Sequence, residues 1–283
     1  MKAAIPFPPL SPELFSISIG SFEFALRWYA LAYIAGILLG WKLAATALKR
    51  ATLWRDDRPP MTPEQLEQLM TWIILGIILG GRLGFVLFYQ PGYYLSHPAE
   101  ILMIWHGGMS FHGGLIGVIV CLMFFARKTQ KAFWEVGDMV VVLAPAGLFC
   151  GRIGNFINGE LWGGPTDLPW GMVFHSPAAG DIPRHPSQLY EAGLEGLVLL
   201  AILWFFTARP KPRMAASGLF LLLYALFRSL VEFVREPDAH IGYLAWGWLT
   251  MGQVLSAPMA VAGIVLLVIA YTRKIYDRPL AKT

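Results

Sequence analysis

The chain has 283 residues, 56% of them apolar and 14% charged, with a mean hydropathy of +0.55. A soluble globular protein carries about a quarter charged residues, so this composition points to a membrane. It excludes a disordered chain, a coiled coil and a soluble enzyme that is polar all round. The net charge of +4 is small and forms no basic or acidic tail, so nucleic acid is not an expected partner. Cys121 and Cys150 lie inside apolar runs, away from paired or metal-like spacings, and read as small packing residues.

The arm before the first span holds Pro6, Pro8, Pro9 and Pro12, which break any signal-peptide core. No cleaved signal is expected, and the mature chain is read as starting near Met1. A bilayer core takes about 20 mainly apolar residues as helix, and seven such runs follow in chain order. They are Ala25 to Ala45, Leu69 to Tyr89, Ser110 to Ala126, Val136 to Cys150, Gln188 to Phe206, Gly218 to Val234 and Met251 to Tyr271. The fourth is short and contains Pro145, which predicts a kinked, tilted or partial span. Glycines four apart, at Gly36/Gly40, Gly76/Gly80, Gly80/Gly84 and Gly113/Gly117, mark faces for close helix contact. No internal repeat of the inverted transporter kind is visible.

Fifteen of the 22 Lys and Arg residues fall in four segments that alternate onto one side of seven spans. These hold Lys42, Lys49, Arg50, Arg55 and Arg58; Arg127, Lys128 and Lys131; Arg209, Lys211 and Arg213; and Arg273, Lys274, Arg278 and Lys282. The positive-inside rule makes that side cytoplasmic. The expected fold is therefore an all-α polytopic helix bundle with seven transmembrane helices, N-terminus outside and C-terminus cytoplasmic. It forms a single transmembrane domain over residues 1–283, with an outer arm at 1–24, an outer polar loop at 151–187 and a cytoplasmic tail at 272–283. Beside Lys2, the other basic residues are Arg27, Arg82, Arg152, Arg184, Arg228 and Arg235, all at or near the outer ends of spans. An arginine at membrane depth is costly unless paired or hydrated. The set points to an anion site facing the outer leaflet.

Four stretches carry candidate chemistry. Gly-Arg-Ile-Gly-Asn-Phe-Ile-Asn-Gly-Glu-Leu-Trp-Gly at 151 to 163 combines glycines with the Arg152 fork, Asn155, Asn158 and Glu160. Such a polar run at membrane depth is tolerated where it is buried in protein or lines a wet cavity. Arg228, Glu232 and Arg235 stand at i, i+4 and i+7 on one helical face, and two Arg for one Glu leaves spare positive charge to which Arg152 adds. Met-Ser-Phe-His-Gly-Gly-Leu-Ile-Gly at 109 to 117 places His112 at a span mouth, either as a general base or as a hydrogen-bonded packing residue. His106 is six residues away and no acid joins the pair, so no metal is expected. Arg-His-Pro-Ser-Gln-Leu-Tyr-Glu at 184 to 191 reads as a polar rim for the fifth span. Tyr29, beside Trp28, reads from its pattern as part of the interfacial aromatic belt.

These stretches, with Phe-Arg-Ser-Leu-Val-Glu-Phe-Val-Arg-Glu-Pro-Asp at 227 to 238, resemble the prolipoprotein diacylglyceryl transferase family in the same order over nearly the whole chain. The loop between Gly163 and Arg184 is short for that family. The resemblance implies seven spans with the N-terminus outside, in the inner (cytoplasmic) membrane of a bacterium, and an active site toward the outer face. It implies transfer of the diacylglyceryl group of phosphatidylglycerol to the lipobox cysteine in a preprolipoprotein signal peptide, with release of glycerol phosphate. The partners implied are phosphatidylglycerol, lipobox-containing preprolipoproteins and membrane lipids, and no cofactor. Carried over residue by residue, the functional set is Tyr29, His112, Arg152, Asn155, Glu160, Gly163, Arg228 and Glu232, with Arg235 close by. His106 stays outside it.

On these expectations the catalytic residues are His112, Arg152, Glu160, Arg228 and Tyr29. The substrate-binding residues are Arg152, Asn155, Asn158, Gly163, Arg228, Glu232 and Arg235. His112 would be the thiol base, with Glu160 as second candidate. Arg152 and Arg228 would hold the phosphate, Asn155 and Tyr29 would orient the headgroup, and Glu232 would fix Arg228. Two rivals use the same arginines: an anion transporter, which calls for charges spread through the bilayer, and a non-catalytic lipid-binding protein.

Overall fold

The computed structural model describes residues 5–19, 22–54, 59–237 and 242–276. Parts of the expected outer arm and cytoplasmic tail, with Lys2, Arg55, Arg58, Asp238, Arg278 and Lys282, lie outside the described residues, as does the side chain of His106. Among the described residues, seven helices are long and apolar enough to cross a membrane. The described residues cluster into two compact units, one within 5–44 and 138–276 and one within 45–137.

In the unit formed by 45–137, α2 (Pro63–Phe88) starts with a capping box. Thr62 Oγ1 accepts from Gln65 N–H and Gln65 Oε1 accepts from Thr62 N–H, both at 3.2 Å, so two of the helix's orphan donors are satisfied. After the short α3 (Pro91–Ser96), α4 (Phe111–Lys128) lies directly against α2. Their glycine faces meet as their spacing predicts: a Cβ on Gly84 would stand 2.6 Å from Gly113 Cα, and one on Gly76 2.8 Å from the Gly117 carbonyl. In a lipid environment such backbone contact replaces the hydrophobic effect as the force joining helices. Arg82, buried on α2, donates to the carbonyls of Ile101 (2.8 Å), Glu100 (2.6 Å), Gly107 (2.5 Å) and Gly108 (3.2 Å). These four bonds tie down the loop before α4.

The larger unit contains the greater parts of α1 (Trp28–Leu48) and α5 (Phe133–Ile157), with α8 (Ala215–Glu232), α9 (Met251–Arg273) and one composite span. That span runs as α6 (Ser187–Glu191), a π-helical stretch (Ala192–Val198) and α7 (Leu199–Phe206). Asp138 of α5 caps α8 across the bundle. Its carboxylate accepts from Met214 N–H (2.6 Å), Ser217 N–H (2.8 Å) and Ser217 Oγ–H (2.6 Å).

Three expectations need correction. The fold is mostly helical but not all-α: β2 (Glu13–Ile19) pairs antiparallel with β3 (Phe22–Arg27), and β1 (Ile5–Pro6) pairs parallel with β4 (Met172–Val173). Phe15, Ile17 and Ile19 alternating with Ser16 and Ser18 are a period-two signal, and strand β3 delays the first span to Trp28. The fourth span is not short: α5 continues through Pro145 for 25 residues. Consequently 151–157 is helix, and the polar loop begins only after Ile157.

Candidate active site

The site in the larger unit starts on α5. Gly154 lies against Tyr29, where a Cβ would come within 3.1 Å of the ring. The absence of a side chain there lets α1 and α5 close up and sets the Tyr29 phenol beside the end of α5. Its hydroxyl meets that of Tyr33 at 3.0 Å. Asn155, buried one helical turn beyond Arg152, donates through Nδ2 to Glu160 Oε1 at 2.8 Å, and Asn158 Nδ2 reaches the same oxygen at 3.2 Å. Two amides thus orient one carboxylate.

Backbone contacts join the three motifs of this unit. Gln188 Nε2 donates to the Glu160 carbonyl at 2.6 Å and Ser187 Oγ to the Leu161 carbonyl at 3.0 Å. Gly163 N–H donates to the His185 carbonyl at 2.8 Å, and Gly164 N–H to the Val234 carbonyl at 2.9 Å. A Cβ on Gly163 would lie 2.7 Å from His185 Cβ and 2.9 Å from the His185 carbonyl, so only glycine allows the loop to lie flat between α6 and the end of α8. Burial of His185 lowers its pKa below the ordinary imidazole value, and its Nδ1 meets the Tyr190 hydroxyl at 3.2 Å.

At the centre, Arg152 from α5, Arg228 from near the end of α8 and Arg235 just beyond that helix converge on carboxylates. Arg152 Nη2 is 2.6 Å and Arg228 Nη1 2.9 Å from the same oxygen of Glu191, and Arg235 Nη1 is 3.2 Å from the other. Arg228 Nη2 bonds Glu232 at i+4, as the helical spacing predicts. Glu232 is held from its other side by Thr250 Oγ–H at 2.6 Å. Glu195 follows Glu191 by one turn, 3.8 Å from Arg152 Nη2 and 3.9 Å from Arg228 Nη1. Glu191 and Glu195 have no exposed surface, whereas the three arginine side chains retain 11–18%. A cavity of about 150 Å³ opens onto Arg228 and Arg235 beside Glu232, Thr250 and Gly252. Guanidinium groups lining a hollow of this size can take a phosphate by paired N–H donors.

The surplus positive charge expected from two arginines and one glutamate is therefore wrong. Three arginines face Glu191, Glu195 and Glu232, and the formal charges balance. The sequence pattern assigns Glu191 to a polar rim and gives Glu195 no role. The available signal was their position: carboxylates four apart at the head of an apolar span are expensive without cations. The expected cluster of six arginines also divides. Arg152, Arg228 and Arg235 gather, while Arg82 braces its loop. Arg184 bonds the carbonyls of Ala179 (2.6 Å) and Gly163 (3.2 Å) and the Glu236 carboxylate (2.8 Å). Arg27 is exposed, 3.8 Å from Glu13. His112 belongs to the other unit, in the first turn of α4, with its ring exposed and edge-on to Phe111. Among the described residues, no three His, Cys, Asp or Glu side chains are grouped to hold a metal ion.

Comparison with known proteins places these motifs in context. The family model for prolipoprotein diacylglyceryl transferase matches residues 13–269. A phosphatidylglycerol–prolipoprotein diacylglyceryl transferase of Oleidesulfovibrio alaskensis is 54% identical, over 93% of this chain and 94% of its own. Relatives of the same name from Roseobacter denitrificans (54%; 94% and 98% covered) and Pseudomonas aeruginosa (51%; 94% and 96%) are similarly close. With the family match running from the first strand pair to the last span, the chain belongs to the prolipoprotein diacylglyceryl transferase family.

Proposed function

We propose that this multi-pass membrane protein transfers the sn-1,2-diacylglyceryl group of phosphatidylglycerol to the cysteine thiol of a lipobox in a preprolipoprotein signal peptide, the first step of lipoprotein maturation. The observation that carries this reading is identity above half, over more than nine-tenths of both chains, with relatives named for that reaction. The arginine site supports it, because the substrate's polar part is a phosphodiester. The chain acts as one transmembrane catalytic domain in the bacterial inner membrane. Its N-terminus lies outside and its C-terminus in the cytoplasm, as the distribution of Lys and Arg favours, and the active site opens toward the outer face.

The cysteine sulfur attacks carbon 3 of the diacylglyceryl group. A carbon–sulfur bond forms, the carbon–oxygen bond to phosphate breaks, and the electron pair leaves on the oxygen of glycerol phosphate. The thiol proton passes to His112, or to Glu160 as second candidate, since a thiolate and not a thiol is the nucleophile. Arg152 and Arg228 hold the phosphate and offset the charge that grows on the departing oxygen. Glu232 keeps Arg228 in place, Arg235 adds a further contact to the substrate, Tyr29 and Asn155 orient the glycerol headgroup, and Asn158 and Gly163 complete the binding surface. The test is to incubate the purified protein with phosphatidylglycerol and a lipobox peptide and to seek the thioether and glycerol phosphate by mass spectrometry. Both products should form, and both should be lost with a Cys→Ser peptide. Full turnover by R152K would contradict the forked phosphate contact, and normal rates in H112Q at every pH would move the base elsewhere.

A further inference from the structure

Glu195 stands apart from every other carboxylate of the site. It is wholly buried within the π-helical stretch, and its neighbour Gly196 is pressed onto α5, where a Cβ would lie 2.9 Å from Phe149 Cα. That contact fixes Glu195 one turn below Glu191 and beside Arg152. Neither of its carboxyl oxygens accepts a hydrogen bond among the described residues. The two nearest cationic nitrogens, at 3.8 and 3.9 Å, are the same two that bond Glu191 at 2.6 and 2.9 Å. A buried acceptor left without a donor is costly and rare in a native protein. Glu195 lies within ion-pair range of Arg152 and Arg228 and forms no hydrogen bond among the described residues.

The reaction gives that charge a use. Phosphatidylglycerol presents a phosphodiester with one negative charge, whereas the glycerol phosphate released is a monoester carrying roughly 1.5 to 2. Three arginines balanced only by the bonded Glu191 and Glu232 would be a net cation that holds product more tightly than substrate. We propose that Glu195 is a positioning residue acting through Arg152 and Arg228, the counter-charge that weakens their grip on phosphate so that glycerol phosphate can leave. This assignment rests on the phosphatidylglycerol reading above.

The size of the effect follows from charge. Across a guanidinium, at an effective dielectric constant of about 20, one elementary charge changes the affinity for a monoanion on the order of tenfold. A dianion feels the same potential twice, so its affinity changes by about a hundredfold. The discriminating quantity is therefore the ratio of the two changes, which a general disturbance of the fold would not reproduce.

The experiment measures binding of sn-glycerol phosphate by calorimetry, with KM for phosphatidylglycerol and kcat, on the full-length enzyme in detergent. E195Q and E195A should both bind glycerol phosphate about a hundredfold more tightly and show a KM about tenfold lower, with kcat reduced as release becomes limiting. E195D keeps the charge and should stay within about threefold of the native enzyme. Unchanged or weaker glycerol phosphate binding in E195Q and E195A, or an E195D that shifts as they do, overturns the assignment. Binding needs no turnover, so a native enzyme that forms no thioether would count against the transferase reading separately.

Discussion

Replacing Glu191 by Gln keeps the shape of the side chain and removes the one charge that three arginines share. Glu191 has no exposed surface, and its oxygens lie 2.6, 2.9 and 3.2 Å from Arg152, Arg228 and Arg235. Breaking a buried ion pair by removing one partner costs about 3–5 kcal/mol, because the other charge is left uncompensated. The arginines keep 11–18% of their side-chain surface and Arg228 retains Glu232, so the lower end, about 3 kcal/mol, is the appropriate figure. If half or more of that falls on the alignment of Arg152 and Arg228 for phosphate, kcat/KM drops by roughly 10- to 100-fold. Initial rates of thioether formation and the thermal unfolding midpoint, taken on one detergent preparation, measure both parts. An E191Q enzyme within threefold of native kcat/KM and with an unchanged midpoint would refute the role of Glu191 as shared anchor. The contrast with Glu195 is one of alignment: E191Q removes the ion pairs that hold the three arginines as well as a charge and should lower kcat/KM, whereas E195Q removes a charge that makes no hydrogen bond.

G163A forces a methyl group between the loop and His185 and should cost about 1–3 kcal/mol, seen as a lower thermal midpoint together with reduced turnover; native values would show that the loop can move aside. R82A strips four carbonyls of their donor and should lower stability by at least about 2 kcal/mol, with new protease cleavage between positions 98 and 108, and R82K should be intermediate. No change in the cleavage pattern would remove Arg82 as the loop's brace. Because burial lowers the pKa of His185 below its ordinary 6.5, the unfolded chain binds the extra proton first as pH falls. Stability should therefore decline on acidification from about pH 7.5 to about pH 5.5, and H185Q should lose less over that interval; an equal loss in both would place the sensitivity elsewhere.

The spans were legible in the sequence because length and hydropathy alone determine whether a helix can cross a bilayer. The glycine pairs of α2 and α4 and the Arg228–Glu232 contact followed from helical spacing, which is local information. What was not legible depends on partners distant in sequence. Gly151 and Gly154 made the end of α5 read as loop, although packing of Tyr29 on Gly154 keeps it helical. Ile5 joins Met172 across more than 160 positions, beyond any period-based reading. Glu191 and Glu195 were hidden for the same reason: a carboxylate on one span acquires its meaning from arginines on two others. The balanced charge of the site is a tertiary property, and counting along α8 alone misjudges it.

The central claim is that carbon–oxygen cleavage delivers the lipid to sulfur while the arginines hold the departing phosphate. Phosphatidylglycerol labelled with heavy oxygen at the bond between carbon 3 and phosphorus tests it directly in a reaction with the purified protein and a lipobox peptide. The account predicts an unlabelled thioether peptide and all of the label in glycerol phosphate, in equal amounts. Labelled diacylglycerol, or glycerol phosphate without thioether, would contradict it.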